Sequence, residues 1–517
     1  YGTDSADAEW RLKLRQVWQA INVQGKQFAA CSLIDLFVPG TLKMLTTAEK
    51  NSASDSIILM GTMLPPRDYR NDVEFLQHWN RIKCDVVVKV SFPNLEPYIT
   101  QAWLRNAGVS QTVTPQQAAR GVNALTVELN LYAILSDFLT DYITPNLMGF
   151  YGSWTCTIEQ FEKTIGELES NVLNGNKMNL DNQISLDVFE REKQISERFT
   201  NEVTRIYAQY GTQPQPQDQL RFVVLERGRG QSVADLLEKK EITEDQLISV
   251  LFQTIYTMQV LGERGIRHGD LHTGNVFVDP LANKNLQLAY FLFQQNKPIE
   301  FATLPTVGVL AKIFDWDRGS VTTTPYAPLS SLHWPRGELR NVVTDIMCDK
   351  ESSCNYNPKA DIYTFLSNLY AIIPSNFDRV RAFIERHISY VLLTHGNPNN
   401  QTGSSFASAG GFQFRLCGGP LQTYMNGGDG CTLQQTGESC QRAWIPPDCV
   451  MHSLTDMLHD TDLFGSLWHT YPQEIPNTPY VYGNWPSLQE RTQILDQISR
   501  NWPIEHRQRL QQIGLIA

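Results

Sequence analysis

The chain has no long apolar run. No stretch approaches the roughly eighteen uninterrupted apolar residues that read as a membrane-spanning helix, so no membrane span is expected. It has no excess of positive charge either. Lys and Arg number 43 against 54 Asp and Glu, a net charge of −11. Nucleic-acid phosphates are held by clustered cations, so nucleic acid is not expected as a partner. The N-terminus, YGTDSADAEWRLKLRQVW, has no apolar core of a secretory signal. It begins at Tyr1 rather than Met, and a processed or trimmed chain is expected.

None of the nine cysteines forms a C-x-x-C pair. Cys417, Cys431, Cys440 and Cys449 lie in Gly-rich sequence where disulfides or a metal site are open readings, but their spacing matches no zinc pattern. Free thiols in a reducing, cytoplasmic compartment are the expectation. A glycine-rich, phosphate-cradling turn is also missing. The segment Gly25–Cys31, where such a turn would fall, holds one glycine and reads equally well as an ordinary turn.

What is present describes a folded chain with ample core, 42% hydrophobic and 19% charged. Its 517 residues fit two to four domains, or one two-lobed unit with large insertions. Residues 8–22 have near-helical apolar spacing, and 40–80 read as an insertion. Cys84–Phe92 is a β-branched strand containing Lys89. A lysine within a buried strand needs an anion, whereas on an edge strand it reaches solvent. Residues 115–139 carry an apolar stripe through Leu125, Leu129, Tyr132 and Leu135. Glu128 lies beside that stripe, as a surface glutamate or as a partner for Lys89.

Residues 157–215 read as a helical insertion without chemistry of its own. Arg221–Glu226 is a strand, and Thr243–Gln246 is a capping box opening a long apolar helix through Leu261. After it comes the most informative stretch, His268-Gly269-Asp270-Leu271-His272-Thr273-Gly274-Asn275, which runs into the apolar Val276-Phe277-Val278. A phosphoryl-transfer enzyme needs a carboxylate near the acceptor hydroxyl and an amide oxygen that can hold a divalent cation. Asp270 and Asn275 can supply them. Residues 279–305 read as a further insertion. Val309–Ile313 is a strand ending in Phe314-Asp315-Trp316-Asp317, where two carboxylates suit a hard cation or simply make a charged turn. A helix starts near Asp361, 395–432 is a long polar loop, and the chain from about 450 reads as helical.

In this order the pieces resemble the protein-kinase-like superfamily. That resemblance implies an α+β, bilobal fold, with a small β-rich N-lobe carrying a helix C over 1–226 and a larger, mainly helical C-lobe over 227–517, with a variable region at 395–450. Lys89 is similar to the strand lysine that binds the α- and β-phosphates, and Glu128 to its helix partner. Leu225 and Glu226 resemble the residue guarding the adenine pocket and the nucleotide-binding hinge. HGDLHTGN (268–275) resembles the catalytic loop, with Asp270 as base and Asn275 as metal ligand. Asp315 resembles the metal-binding aspartate, and Asp361 the helix aspartate that tethers the loop.

His268 is implied to support the loop. His272, where lysine is usual, reads as a γ-phosphate contact or as an ordinary loop histidine. Gly269 replaces an arginine that reads a phosphorylated activation loop, which implies activity independent of such phosphorylation. HGDLHxGN is similar to loops of aminoglycoside phosphotransferases, choline kinases, ABC1-type atypical kinases and kinase-like proteins of large DNA viruses. The resemblance implies ATP and Mg²⁺ or Mn²⁺ as cofactors. It also implies serine/threonine protein kinase activity on a protein substrate, with packaging in a virion beside other virion proteins. The alternatives are a small hydroxyl acceptor or a kinase-fold scaffold.

Overall fold

The computed structural model describes residues 43–45, 56–63, 85–99, 124–163, 186–317, 319–321, 329–330, 358–388, 390–394, 412–416, 421–424, 452–476, 478, 480–500 and a few positions between 502 and 511. The expected helix at 8–22, the turn at Gly25–Cys31, residues 115–123 and the four late cysteines lie outside the described residues. The structure is mixed α and β, with a sheet-rich N-terminal part and several helices. Among the described residues no helix is long and apolar enough to cross a membrane.

In chain order the N-terminal part contains β1 (Lys43–Met44), β2 (Ile57–Thr62), β3 (Asp85–Ser91), helix α1 (Ala124–Thr140), β4 (Phe150–Thr157), helix α2 (Leu186–Gln209) and β5 (Gln219–Glu226). The strands form one antiparallel sheet in the order β1-β2-β3-β5-β4. Successive side chains of a strand face opposite sides, so the sheet has two distinct faces. Val86, Val88 and Val90 point to one face and are buried with Phe199, Val203 and Ile206 of α2. The 157–215 segment thus supplies the cover of the sheet. Val223 and Leu225 point the other way and join Val127, Leu131 and Leu135 of α1 in the larger core. Cys156 is disulfide-bonded, which corrects the expectation of free thiols at that position.

The rest of the chain is built on a buried helix. β6 (Gln231–Ser232) and α3 (Val233–Glu238) lead into α4 (Glu244–Glu263), whose capping box is formed. The Thr243 hydroxyl accepts the Gln246 N–H, and the Gln246 side chain accepts the Thr243 N–H. Such reciprocal bonds satisfy N–H groups that a helix start leaves open. Most of α4 is buried because other elements surround it. After α4 the chain forms β7 (Ile266–Arg267), β8 (Val276–Pro280), β9 (Gln287–Leu292), β10 (Ile299–Pro305), β11 (Val309–Ile313), β12 (Ser320–Val321), β13 (Leu329–Ser330), α5 (Pro358–Ile372) and α6 (Asp378–His387), of which β7, β11, α5 and α6 pack against it.

Within the segment 279–305, β9 and β10 form a hairpin continuous with the core through Tyr290, Phe291 and Phe301. Two expectations for this part are corrected. The stretch expected as a polar loop contributes β15 (Phe412–Leu416) and β16 (Leu421–Tyr424), which pair with β14 (Tyr390–Thr394) in a separate antiparallel sheet. The region after 450 has helices α7 (Leu454–Leu458) and α8 (Leu488–Ser499), but between them lie β17 (Trp468–Tyr471) and β18 (Val481–Gly483). These two strands flank the hairpin in the order β17-β10-β9-β18. Aromatic and β-branched residues suit such half-buried pleated positions, and long-range pairing decides where they go.

Candidate active site

Strand parity places the first functional side chain. Lys89 sits in β3, the central strand, with Ile58 and Val223 as cross-strand neighbours. Its neighbours Val88 and Val90 face α2, so Lys89 faces α1 rather than solvent at an edge. Its Nζ lies 2.7 Å from Glu128 Oε1 and 3.3 Å from Asp315 Oδ1. The Glu128 side chain is only 3% exposed, which calls for a cation beside it.

Burial works against the charge on Lys89. The carboxylates of Glu128, Asp315 and Asp317 outweigh it and hold the ammonium protonated, well above the range of a free lysine. Burial alone would lift Asp315. Lys89 reverses that, with help from His268, and brings Asp315 below the usual carboxylate range.

Strand pairing brings the other two groups in. β8 and β11 are antiparallel with Val276 opposite Ile313, so the residues beyond that pair, Asn275 and Phe314, are adjacent. The Phe314 N–H donates to the Asn275 carbonyl at 3.2 Å. The 268–275 loop therefore ends beside the start of Asp315-Trp316-Asp317. The Asn275 amide donates through Nδ2 to the Asp270 carbonyl at 2.9 Å, which turns the loop back on itself and leaves Oδ1 as the acceptor end of the amide. Asp270 is half-buried in the same loop. The Asp315 carboxylate and the Asn275 amide oxygen are hard donors of the kind that Mg²⁺ takes together with phosphate oxygens. Among the described residues no group of three or more His, Cys, Asp and Glu is placed to hold a metal by itself.

The loop is fixed from below. Asp361, at the start of α5, accepts the N–H groups of His268 at 2.9 Å and Gly269 at 2.8 Å. Gly269 has φ of +80°, a left-handed conformation that explains a glycine there. His268 is fully buried. Its Nδ1 accepts the Asp270 N–H at 3.2 Å, so the proton is on Nε2, which donates to the Phe314 carbonyl at 2.8 Å. Its ring packs on Trp316 with centroids 4.5 Å apart. His272 is drawn into local structure, because its Nδ1 accepts the Gly274 N–H and caps the short turn Thr273–Asn275.

Leu225 and Glu226 end β5, and both are buried. The Glu226 N–H donates to the Gly149 carbonyl, and its carboxylate accepts the Gly149 N–H at 3.0 Å. Lys312, fully buried, lies 3.4 Å from that carboxylate and donates to the Leu147 carbonyl at 3.0 Å. The Glu226 side chain therefore braces the sheet from inside.

Sequence reasoning missed Lys312, Asp279 and Tyr132. Asp279 accepts the N–H groups of Arg229 and Gly230 just after β5. A Cβ at Gly230 would fall 1.7 Å from the Val278 carbonyl oxygen, so only glycine fits there. Tyr132 follows Glu128 by one helical turn, and its hydroxyl oxygen accepts the Asp315 N–H at 3.0 Å. The i, i+4 spacing was the available signal.

No family model matches the chain. A stretch of 100 residues is 32% identical to "Serine/threonine-protein kinases PknA" of Corynebacterium glutamicum, covering 19% of this chain and 21% of that protein. The chain thus matches about a fifth of the length of this curated relative. The match is a partial, weak similarity to a serine/threonine kinase and points to a kinase-like relationship.

Proposed function

We propose that this protein is an ATP-dependent phosphotransferase of bilobal, protein-kinase-like architecture, acting as an atypical serine/threonine protein kinase. The five-stranded sheet with α1 as helix C would be the smaller lobe, and the part built on α4 the larger. One observation carries the reading. Lys89 Nζ stands 2.7 Å from Glu128 and 3.3 Å from Asp315, three groups drawn from distant parts of the chain and converging beside the 268–275 loop. A fold needing only structural support has little use for a half-buried lysine shared by two carboxylates, one of them 39% exposed.

In this reading Lys89, held by Glu128, neutralises the α- and β-phosphates of ATP. Asp270 orients the acceptor hydroxyl and takes its proton as the γ-phosphoryl group transfers in line. Asp315 and Asn275 Oδ1 would hold Mg²⁺ or Mn²⁺, which when bound offsets phosphate charge. Leu225 and the backbone following Glu226 would border the adenine. Gly269 offers no cation to read a phosphorylated residue, which supports activity independent of loop phosphorylation.

The test is transfer from labelled ATP with Mg²⁺ or Mn²⁺ to a generic protein substrate and to a panel of amino-alcohols and aminoglycosides. Wild type is compared with Asp270→Asn and Asp315→Asn. Labelling of protein by wild type alone is expected. Labelling confined to a small alcohol would reassign the acceptor, and equal labelling by all three proteins would overturn catalysis at this site. A wild type without any nucleotide-dependent thermal shift would leave a scaffold.

A further inference from the structure

We propose that Tyr132 is a positioning residue that holds the Asp315 carboxylate in its cation-binding orientation, an inference that rests on the phosphotransferase reading above. Asp315 has φ of +66°, in the left-handed region that L-residues rarely adopt. Something must hold it there. The peptide unit joining Phe314 to Asp315 is bound at both ends. Its carbonyl accepts from His268 Nε2 at 2.8 Å, and its N–H donates to the Tyr132 hydroxyl oxygen at 3.0 Å.

The C=O and N–H of a trans peptide point in opposite directions, so the plane is clamped between the 268–275 loop on one side and α1 on the other. On the far side of Asp315, Trp316 is fully buried against His268. With the peptide before it and the side chain after it both fixed, Asp315 keeps its left-handed backbone, and its carboxylate stays 3.3 Å from Lys89.

Tyr132 is suited to the task. It is 2% exposed and packed in the main core, so its ring does not wander. It lies four residues after Glu128, so one face of α1 carries the carboxylate that fixes Lys89 and the hydroxyl that fixes Asp315. The helix also closes on the same turn at Gly319, where a Cβ would come within 2.3 Å of the Leu131 side chain. A small displacement of α1 would therefore be felt at Lys89 and Asp315 together.

The experiment uses the full chain and reads ATP binding in two regimes, in EDTA and across a Mg²⁺ titration. Tyr132→Phe keeps the ring and loses the oxygen, and Tyr132→Met is the second variant should the first fail to fold. Leu135→Ala, about one turn further along α1 and buried in the same core, is the packing control. Tyr132→Phe is expected to leave metal-free ATP binding unchanged and to raise the Mg²⁺ concentration for half-maximal enhancement about five-fold, the scale of one lost neutral hydrogen bond. Leu135→Ala is expected to lower the melting temperature more and leave the Mg²⁺ requirement alone.

An unchanged Mg²⁺ requirement in Tyr132→Phe overturns the proposal. So does an equal rise in Leu135→Ala, which would make the effect one of general packing. A wild type that binds ATP with no Mg²⁺ dependence would instead bring down the phosphotransferase reading and this inference with it.

Discussion

The carboxylate of Asp361 accepts the backbone N–H of Gly269 at 2.8 Å, and through this bond and the one to His268 a helix of the larger part holds the 268–275 loop. The held residue has φ of +80°, so its conformation and its tether are matched. Gly269→Ala is expected to cost about 1–2 kcal/mol in strain alone. Asp361→Ala strips an acceptor from two N–H groups and is expected to cost about 2–4 kcal/mol. Urea unfolding midpoints check both. Asp361→Asn, which keeps one acceptor oxygen, falls between wild type and alanine.

A second prediction concerns Lys89 and Glu128. Removing the lysine alone, as Lys89→Met, leaves a carboxylate that is 3% exposed without its cation. A loss of about 3 kcal/mol is expected from that stranded charge. The double variant Lys89→Met/Glu128→Leu removes both charges and is expected to recover most of that stability without recovering ATP binding. Thermal unfolding and nucleotide titration on the same samples separate the two effects. A double variant no more stable than Lys89→Met would show that the pair is not what the fold loses.

Lys312 gives a third prediction. It is fully buried, bonded to the Leu147 carbonyl and 3.4 Å from Glu226, so it links β11 to the end of β5. Lys312→Met leaves the Glu226 carboxylate in the interior and is expected to cost about 3–5 kcal/mol. Glu226→Gln in the same chain is expected to offset part of that cost, because a neutral amide does not need the cation. A double-mutant cycle in denaturant measures the coupling. Strict additivity would mean that the contact carries no energy.

What could be read from the sequence follows local rules. The β-branched run around Lys89, the stripe of α1 and the capping box at Thr243 are set by periodicity and by neighbours a few residues away, so they are legible. The Lys89 site is half legible: parity and the α1 stripe offer Glu128 as a partner for the lysine, but only the fold shows that Asp315 shares it. The pairing of β17 and β18 with β9 and β10 was not legible. It joins strands well over a hundred residues apart, and nothing in Trp468–Tyr471 names its partner. Lys312 and Tyr132 were hidden for a related reason. Each reads as an ordinary member of an apolar element, and its use is visible only once the far segment it touches is in place.

The last prediction is the response of stability to acid. His268 is buried and neutral, with its proton on Nε2 and its Nδ1 accepting the Asp270 N–H. Burial lowers its pKa below the ordinary value, against the opposing pull of Asp361, the Phe314 carbonyl and Asp270. His387 is lowered in the same way by burial, against its bond to Asp460. For both, the unfolded chain takes up a proton at the ordinary histidine pKa of about 6.5 while the folded chain does not. Between that value and the lower folded pKa the unfolded state binds more protons, so stability falls as pH falls through this window. Asp315 and Asp460, which Lys89 and Arg386 respectively help to hold below the carboxylate range against burial, contribute stability that is lost only in stronger acid, below about pH 4. The urea midpoint is therefore expected to be level above pH 7 and to drop as pH falls below the ordinary histidine pKa of about 6.5. His268→Gln and His387→Gln are each expected to make that drop shallower, whatever they cost at pH 7. A slope in this window identical to wild type in both variants would show that these two histidines are not the source of the acid sensitivity.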